Sequence, residues 1–251
     1  FRIKRLLREA LPFQTQDTLS GLLADVRLPT DPRYLEAFPH QMSGGQQQRV
    51  GIAMAFARRP KVIVFDEPTT GLDVTTQAHV LTTVRRLCRE HNVAAIYVSH
   101  DLAVVSELCD RVAVMYAGAI IETGPTDAVF AQPRLPYTRK LVASVPLMKP
   151  PRPVGQPDDG SSIRPGAGTA SDTGSREQAE LALNVRDLVA KHGARDVLHS
   201  VNLKIPRGTC VALVGESGSG KTTLARCIGG LHANMTGAIE YNGAVVPAGA
   251  Q

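Results

Sequence analysis

The sequence has 251 residues, a hydrophobic fraction of 43% and a formal net charge of +5 at pH 7, as expected for one large or two small globular domains. It contains neither an apolar stretch near the roughly 20 residues of a membrane-spanning helix nor a secretory signal, so we expect a cytosolic chain with at most a peripheral membrane role. The dispersed basic residues and the four cysteines without a CxxC pair argue against nucleic-acid binding, a metal centre and a disulfide framework.

Residues 1–42 are predicted to be mostly helical. Two groups of apolar residues recur at helical spacing, and prolines punctuate the stretch. The two groups are Ile3, Leu6, Leu7 and Leu11, then Leu19, Leu22, Leu23 and Val26.

The next stretch combines a helix, a buried strand and a pair of carboxylates. Ser43 and Gln46 have the spacing of a capping box that begins a helix, and Pro60 ends that helix. The apolar run 62–65 has the length of a strand and leads directly into Asp66 and Glu67. Carboxylates at the carboxyl end of a buried strand lie where open α/β sheets bind their ligands.

Residues 43–73 resemble ATP-binding-cassette (ABC) ATPases. Residues 63–67 are similar to their Walker B strand and residues 71–73, ending at Asp73, to their D-loop. The resemblance implies a P-loop NTPase fold of the α/β class, in which Asp66 holds Mg²⁺ through water and Glu67 polarises the attacking water. It also implies that residues 1–42 belong to the helical subdomain that contacts transmembrane subunits. The signature motif of the family is matched by Ser43, Gly44, Gly45 and Gln46.

Residues 74–148 continue the resemblance. A helix is predicted over 74–90, a buried strand over 93–99, and two short strands joined by a turn over 111–121. His100 follows the buried strand and resembles the switch histidine that reaches the γ-phosphate. Residues 135–138 resemble the His-Pro-Tyr-Thr motif of the oligopeptide/dipeptide importer branch, although Leu135 replaces its histidine.

Residues 149–178 are rich in Pro, Gly, Ser and Asp and almost free of large apolar residues. Such a composition cannot bury enough surface to offset the entropy of ordering. We therefore predict a flexible linker.

Residues 179–251 introduce a phosphate-binding motif. Edge strands are predicted at 181–185 and 198–205, a buried strand at 210–214 and a helix from Thr222 to about Leu231. Between the last two lies G-x-x-x-x-G-K-[ST], whose backbone amides and lysine bind phosphates and whose hydroxyl ligates Mg²⁺. Family spacing implies that His192 stacks on adenine. The predicted ATP-binding residues of the motif are Gly215, Glu216, Ser217, Gly218, Ser219, Gly220, Lys221, Thr222 and Thr223.

The motif order indicates parts of two successive nucleotide-binding domains, the end of a first in 1–148 and the start of a second in 179–251. In the head-to-tail pair that the family forms, Lys221 and the signature at 43–46 would face the same ATP. Glu67 and His100 would serve another site, whose Walker A motif precedes residue 1. The chain alone is then expected to bind ATP weakly and to lack efficient ATPase activity.

The leading hypothesis is an ATP-hydrolysing subunit of a membrane importer for oligopeptides or dipeptides, at the cytoplasmic face of the cell membrane. It implies ATP and Mg²⁺ as cofactors, integral membrane permease subunits as partners, a solute-binding protein as an indirect partner, and no nucleic acid. Three alternatives remain: a soluble ABC ATPase that acts on DNA or ribosomes, a circularly permuted single domain, and an inactive truncated fragment.

Overall fold

The computed structural model describes residues 2–11, 16–144 and 180–246. The predicted linker, residues 149–178, lies outside the described residues. The helices are α1 (Ile3–Ala10), α2 (Gln16–Asp25), α3 (Pro32–Leu35), α4 (Gly44–Ala57), α5 (Val74–Glu90), α6 (Leu102–Leu108), α7 (Thr126–Ala131), α8 (Pro136–Ala143) and α9 (Lys221–Ile228). The strands are β1 (Val62–Asp66), β2 (Ala94–Val98), β3 (Arg111–Tyr116), β4 (Ala119–Pro125), β5 (Leu181–His192), β6 (Arg195–Pro206), β7 (Cys210–Val214), β8 (Met235–Tyr241) and β9 (Ala244–Val246).

The first sheet has the strand order β1-β2-β7-β3-β4. Its first four strands are parallel, and β4 pairs antiparallel with β3. All five residues of β7 are buried, as expected for a central parallel strand covered on both faces. Because β7 lies between β2 and β3, the segments 16–144 and 180–246 share one sheet. A circularly permuted single domain would have the same arrangement.

The second sheet is antiparallel, with the order β6-β5-β8-β9. Edge strands were predicted at 181–185 and 198–205, and β6 does lie at the edge. The prediction is wrong for β5, which pairs with both β6 and β8. Alternating apolar residues show that one face of a strand is buried, but not how many neighbours it has.

The helices and the two sheets enclose two apolar cores. One joins α1, α2, α4 and α5 to a face of the first sheet, and the other lies between the two sheets and includes α9. The predicted capping box begins α4, since Ser43 Oγ accepts from the Gln46 amide at 3.3 Å and Gln46 Oε1 accepts from the Ser43 amide at 3.0 Å. The α/β fold class is thus confirmed. Because β1, β2 and β7 pair in parallel, their carboxyl ends lie next to one another.

Candidate active site

The loop between β7 and α9 contains the predicted phosphate-binding motif. Gly218 and Gly220 have φ angles of +82° and +103°, in the region that favours glycine. A Cβ at Gly215 would lie 2.2 Å from the Met115 carbonyl oxygen. The loop therefore adopts a path that only glycine permits, and it delivers the chain into the first turn of α9, where helix amides favour anions.

Lys221 is folded onto this loop. Its Nζ donates to the carbonyl oxygens of Gly215 and Glu216, both at 2.8 Å, and to Ser219 Oγ at 3.4 Å. Burial lowers the pKa of Lys221, while the nearby charges of Glu67 and Asp66 act in the opposite direction. The buried ammonium is thus held within the loop and beside two carboxylates.

Asp66 and Thr222 approach each other at the edge of the first sheet. Asp66 is the last residue of β1, and Thr222 lies in the first turn of α9. Thr222 Oγ1 donates to Asp66 Oδ1 at 3.5 Å. A hydroxyl and a carboxylate oxygen are the hard ligands that Mg²⁺ prefers, directly or through water. The residues present therefore fit the predicted metal role of this pair.

Glu67 and His100 form the second pair of the site. Glu67 has a φ angle of +49°, which is uncommon for a residue with a side chain, and its amide donates to the Val98 carbonyl at 3.1 Å. Glu67 Oε1 lies 2.9 Å from His100 Nδ1, and Thr70 Oγ1 donates to Oε2 at 3.2 Å. The hydrogen bond from His100, helped by that from Thr70, lowers the pKa of Glu67 against the effect of burial. Glu67 is therefore a carboxylate at neutral pH.

Glu67, His100, Lys221 and Thr222 line one open cleft of about 380 Å³, whereas Asp66 reaches the site only through Thr222 and does not line the cleft. The sequence predicted that Glu67 and His100 serve a different site from Lys221. The structure differs, because β7 pairs directly with β2 and brings the two motifs together. Motif order along a chain does not determine strand order in a sheet, and this explains the discrepancy. The cleft is lined by Glu67, His100, Val197, Ser217, Gly218, Gly220, Lys221, Thr222 and Thr223.

The predicted signature and D-loop lie together on another surface. Ser43 and Gly44 are exposed, whereas Gly45 packs so closely on α5 that a Cβ would lie 2.2 Å from Thr76 Cγ2. Asp73 caps α5, since its Oδ1 accepts from the Thr76 amide at 3.0 Å. None of the predicted signature residues lines the cleft, so their contact with a nucleotide stays a prediction.

His192 does not line the cleft either. It ends β5, and its ring lies nearly parallel to that of His232, with centroids 6.5 Å apart. Its contact with adenine stays a prediction. His232 was not predicted, because the two histidines become neighbours only when β5 pairs with β8.

Sequence reasoning also missed two contributors to the loop. Val197 of β6 lines the cleft, and Tyr137 of α8 accepts a hydrogen bond from the Glu216 amide at 2.9 Å. The only advance signal was the position of Tyr137 within the importer-like motif. Neither contact follows from local sequence, since each spans separate elements of the fold.

Two properties of the described residues bear on other functions. No helix in these parts of the chain is long and apolar enough to cross a membrane. Within the same residues, no three or more His, Cys, Asp and Glu side chains cluster in a way that could hold a metal ion.

Comparisons with known proteins agree with the motifs. The family model for the ABC transporter matches residues 3–70 and 198–249, and that for the oligopeptide/dipeptide transporter C-terminal region matches residues 121–168. The glutathione import ATP-binding proteins of Shigella dysenteriae serotype 1 and Escherichia coli are 38% identical to this chain over 237 residues, and that of Salmonella choleraesuis is 37% identical. Each alignment covers 88% of this chain and 38% of the relative, so the chain spans under two fifths of their length.

Proposed function

Because the chain belongs to the ABC transporter family, we propose that it carries a nucleotide site of an ATP-hydrolysing subunit of a membrane importer. The observation that supports this proposal best is the shared cleft, in which Lys221 and Thr222 face Glu67 and His100. A phosphate-binding loop and a strand-end carboxylate pair are the two halves of a phosphoryl-transfer site.

The side chains divide the work of hydrolysis by their positions. Lys221 would leave its loop carbonyls to bind the phosphates, and Thr222 and Asp66 would hold Mg²⁺, Asp66 through water. Glu67, ionised at neutral pH, accepts the proton of the attacking water, and His100 orients that carboxylate. Bound Mg²⁺-ATP supplies the γ-phosphoryl group and the cation that neutralises its charge.

We propose that a signature from a second nucleotide-binding domain completes this site. In the present chain, Ser43 and Gly44 begin the 14-residue helix α4 and are exposed, so they are available to a nucleotide on such a partner domain. The positive end of the helix would face the terminal phosphate. Such a pairing would explain why residues 43–46 of this chain do not line its own cleft.

The relation of this chain to longer relatives supports a further proposal about domains. Residues 1–148 and 179–251 would be adjoining parts of two successive nucleotide-binding domains, which in this chain complement each other to build one site. The alignment covers only 38% of each relative, so a relative is long enough to contain two whole nucleotide-binding domains. The role of residues 149–178 as a flexible linker stays a prediction.

The transported solute is proposed from the family branch. The matched oligopeptide/dipeptide transporter region and relatives named for glutathione import favour a small peptide. Integral membrane permease subunits would then be direct partners at the cytoplasmic face of the membrane, with a solute-binding protein acting through them. Neither match favours an ATPase that acts on DNA or ribosomes.

Binding of a fluorescent ATP analogue to the chain tests the proposal. Lys221→Ala should weaken binding by about tenfold or more, because charge-assisted hydrogen bonds contribute roughly 1.5–3 kcal/mol each. Lys204→Ala removes an exposed lysine of β6 and should leave the affinity unchanged. Equal affinities for Lys221→Ala and the unaltered chain would contradict a nucleotide site at this loop.

A further inference from the structure

We infer that Tyr137 is a positioning residue for the phosphate-binding loop. It belongs to α8, in the region matched by the oligopeptide/dipeptide transporter model, and reaches the loop through a single hydrogen bond. The inference rests on the proposed nucleotide site, which it deepens by adding a residue that does not line the cleft.

The hydrogen bond fixes the peptide that holds Lys221. The Glu216 amide donates to the Tyr137 hydroxyl at 2.9 Å. The carbonyls on either side of that amide, those of Gly215 and Glu216, each accept from Lys221 Nζ at 2.8 Å. Because a peptide unit is planar, fixing the Glu216 amide also fixes the direction of the Gly215 carbonyl. Tyr137 thus sets the orientation of the group on which the lysine rests.

A buried carboxylate anchors the start of the helix that carries Tyr137. Glu122 of β4 accepts from the amides of Arg134 and Leu135, at 2.9 and 3.3 Å, and from Thr138 Oγ1 at 2.5 Å. At position 135 the donor is the backbone, so this anchor does not need the histidine that the family motif usually has there. Glu122 therefore ties α8 to the same sheet that contains β7.

An aromatic contact also holds the ring of Tyr137. Tyr116, the last residue of β3, packs on it with ring centroids 4.6 Å apart and planes tilted by 52°. The strand β3 pairs directly with β7, which leads into the loop. The ring of Tyr137 consequently packs on β3 while its helix is tied to β4, and a rigid side chain of this kind positions its hydroxyl at little entropic cost.

The arrangement makes the importer-specific region part of the nucleotide site. A movement of the start of α8 would shift the Tyr137 hydroxyl and release the Glu216 amide. Events at α8, including contact with another subunit, would then change nucleotide affinity through the loop.

Tyr137→Phe tests the inference, because it keeps the ring and removes only the hydroxyl. Hydrogen exchange at the Glu216 amide, followed by NMR, should become faster. The dissociation constant for ATP should rise about three- to tenfold, an effect of the size of one neutral hydrogen bond. Tyr116→Phe is the matched control, since its hydroxyl is not the acceptor of that amide, and should resemble the unaltered chain in both measurements.

Other results would overturn the inference in distinguishable ways. Unchanged exchange at Glu216 in Tyr137→Phe would show that the hydroxyl does not hold the loop, and faster exchange with unchanged affinity would show that holding the loop does not serve binding. If the unaltered chain and Lys221→Ala both fail to bind ATP, the proposed function fails, and the positioning role fails with it.

Discussion

Thr222 and Asp66 lie 156 positions apart in the sequence, yet Thr222 Oγ1 donates to Asp66 Oδ1 at 3.5 Å. Asp66 ends β1, and Thr222 lies at the start of α9, which follows β7. The two strands are separated only by β2. Asp66 and Thr222, the two residues proposed to hold Mg²⁺, are therefore brought together by the tertiary fold, because β7 lies between β2 and β3.

Substitution of Gly118 tests the contact between segments 16–144 and 180–246. Gly118 has a φ angle of +79°, and a Cβ there would lie 2.2 Å from the Val197 carbonyl oxygen of β6. The Gly118 amide donates a hydrogen bond to the Ser219 carbonyl at 3.0 Å, and the Gly118 carbonyl accepts one from the His199 amide at 2.9 Å. Gly118→Ala should lower the free energy of unfolding, measured with urea, by roughly 1–3 kcal/mol more than backbone strain alone, as expected for overpacking.

Gly243→Ala provides the control for that strain. Gly243 also has a φ angle of +79°, but nothing lies within 4 Å of its would-be Cβ. Its substitution carries the penalty of a left-handed backbone, roughly 1–2 kcal/mol, without the clash. Equal losses of stability in the two variants would contradict the close packing of the β3–β4 turn on β6.

The environment of Glu122 should make the free energy of unfolding depend on pH. Burial would raise its pKa, but hydrogen bonds from Thr138 and the amides of Arg134 and Leu135 outweigh that effect and lower the pKa below the usual value of 4.5. A carboxyl group with a lowered pKa in the folded state stabilises the protein above its usual pKa, and this contribution is lost as the pH falls through the folded value. Glu122→Gln should therefore lower the free energy of unfolding at pH 7 by about 1–3 kcal/mol, because the amide loses an acceptor for buried donors.

The difference between Glu122→Gln and the unaltered chain should persist from pH 7 to 5 and shrink below pH 4.5. Thermal unfolding at several pH values measures it. Glu107→Gln, at an exposed position of α6, should show no such difference. A gap between Glu122→Gln and the unaltered chain that stays constant down to pH 3 would show that the charge of Glu122 does not contribute.

Glu67→Gln tests the proposed base. The substitution keeps the shape of the side chain but removes the charge that accepts a proton. In the proposed complete subunit, assembled with the proposed permease subunits, ATP turnover should fall by about 10²- to 10⁴-fold, the usual contribution of general base catalysis, while ATP binding is retained. Glu90→Gln, on α5 beside Arg86, serves as the control, and unchanged phosphate release by Glu67→Gln would rule out the role.

The sequence predicted the features of the site that depend on local chemistry. The capping residues of α4, the strand that ends at Asp66 and the glycines around Lys221 act through neighbours in the chain, so their structure follows from residue type and spacing. The position of β7 does not, because parallel strand order depends on long-range pairing of apolar strands that look alike in sequence. For the same reason the sequence assigned Glu67 and Lys221 to different sites and did not predict the contact of Tyr137 with the Glu216 amide.

The effect of Mg²⁺ on ATP affinity tests the shared site most directly. In the unaltered chain, Mg²⁺ should tighten the binding of a fluorescent ATP analogue relative to EDTA. Asp66→Asn and Thr222→Ala should each reduce that gain, and Asp127→Asn, at an exposed position of α7, should not. If Asp66→Asn keeps the full gain while Thr222→Ala loses it, Asp66 does not serve the site of Lys221, and the composite site is contradicted.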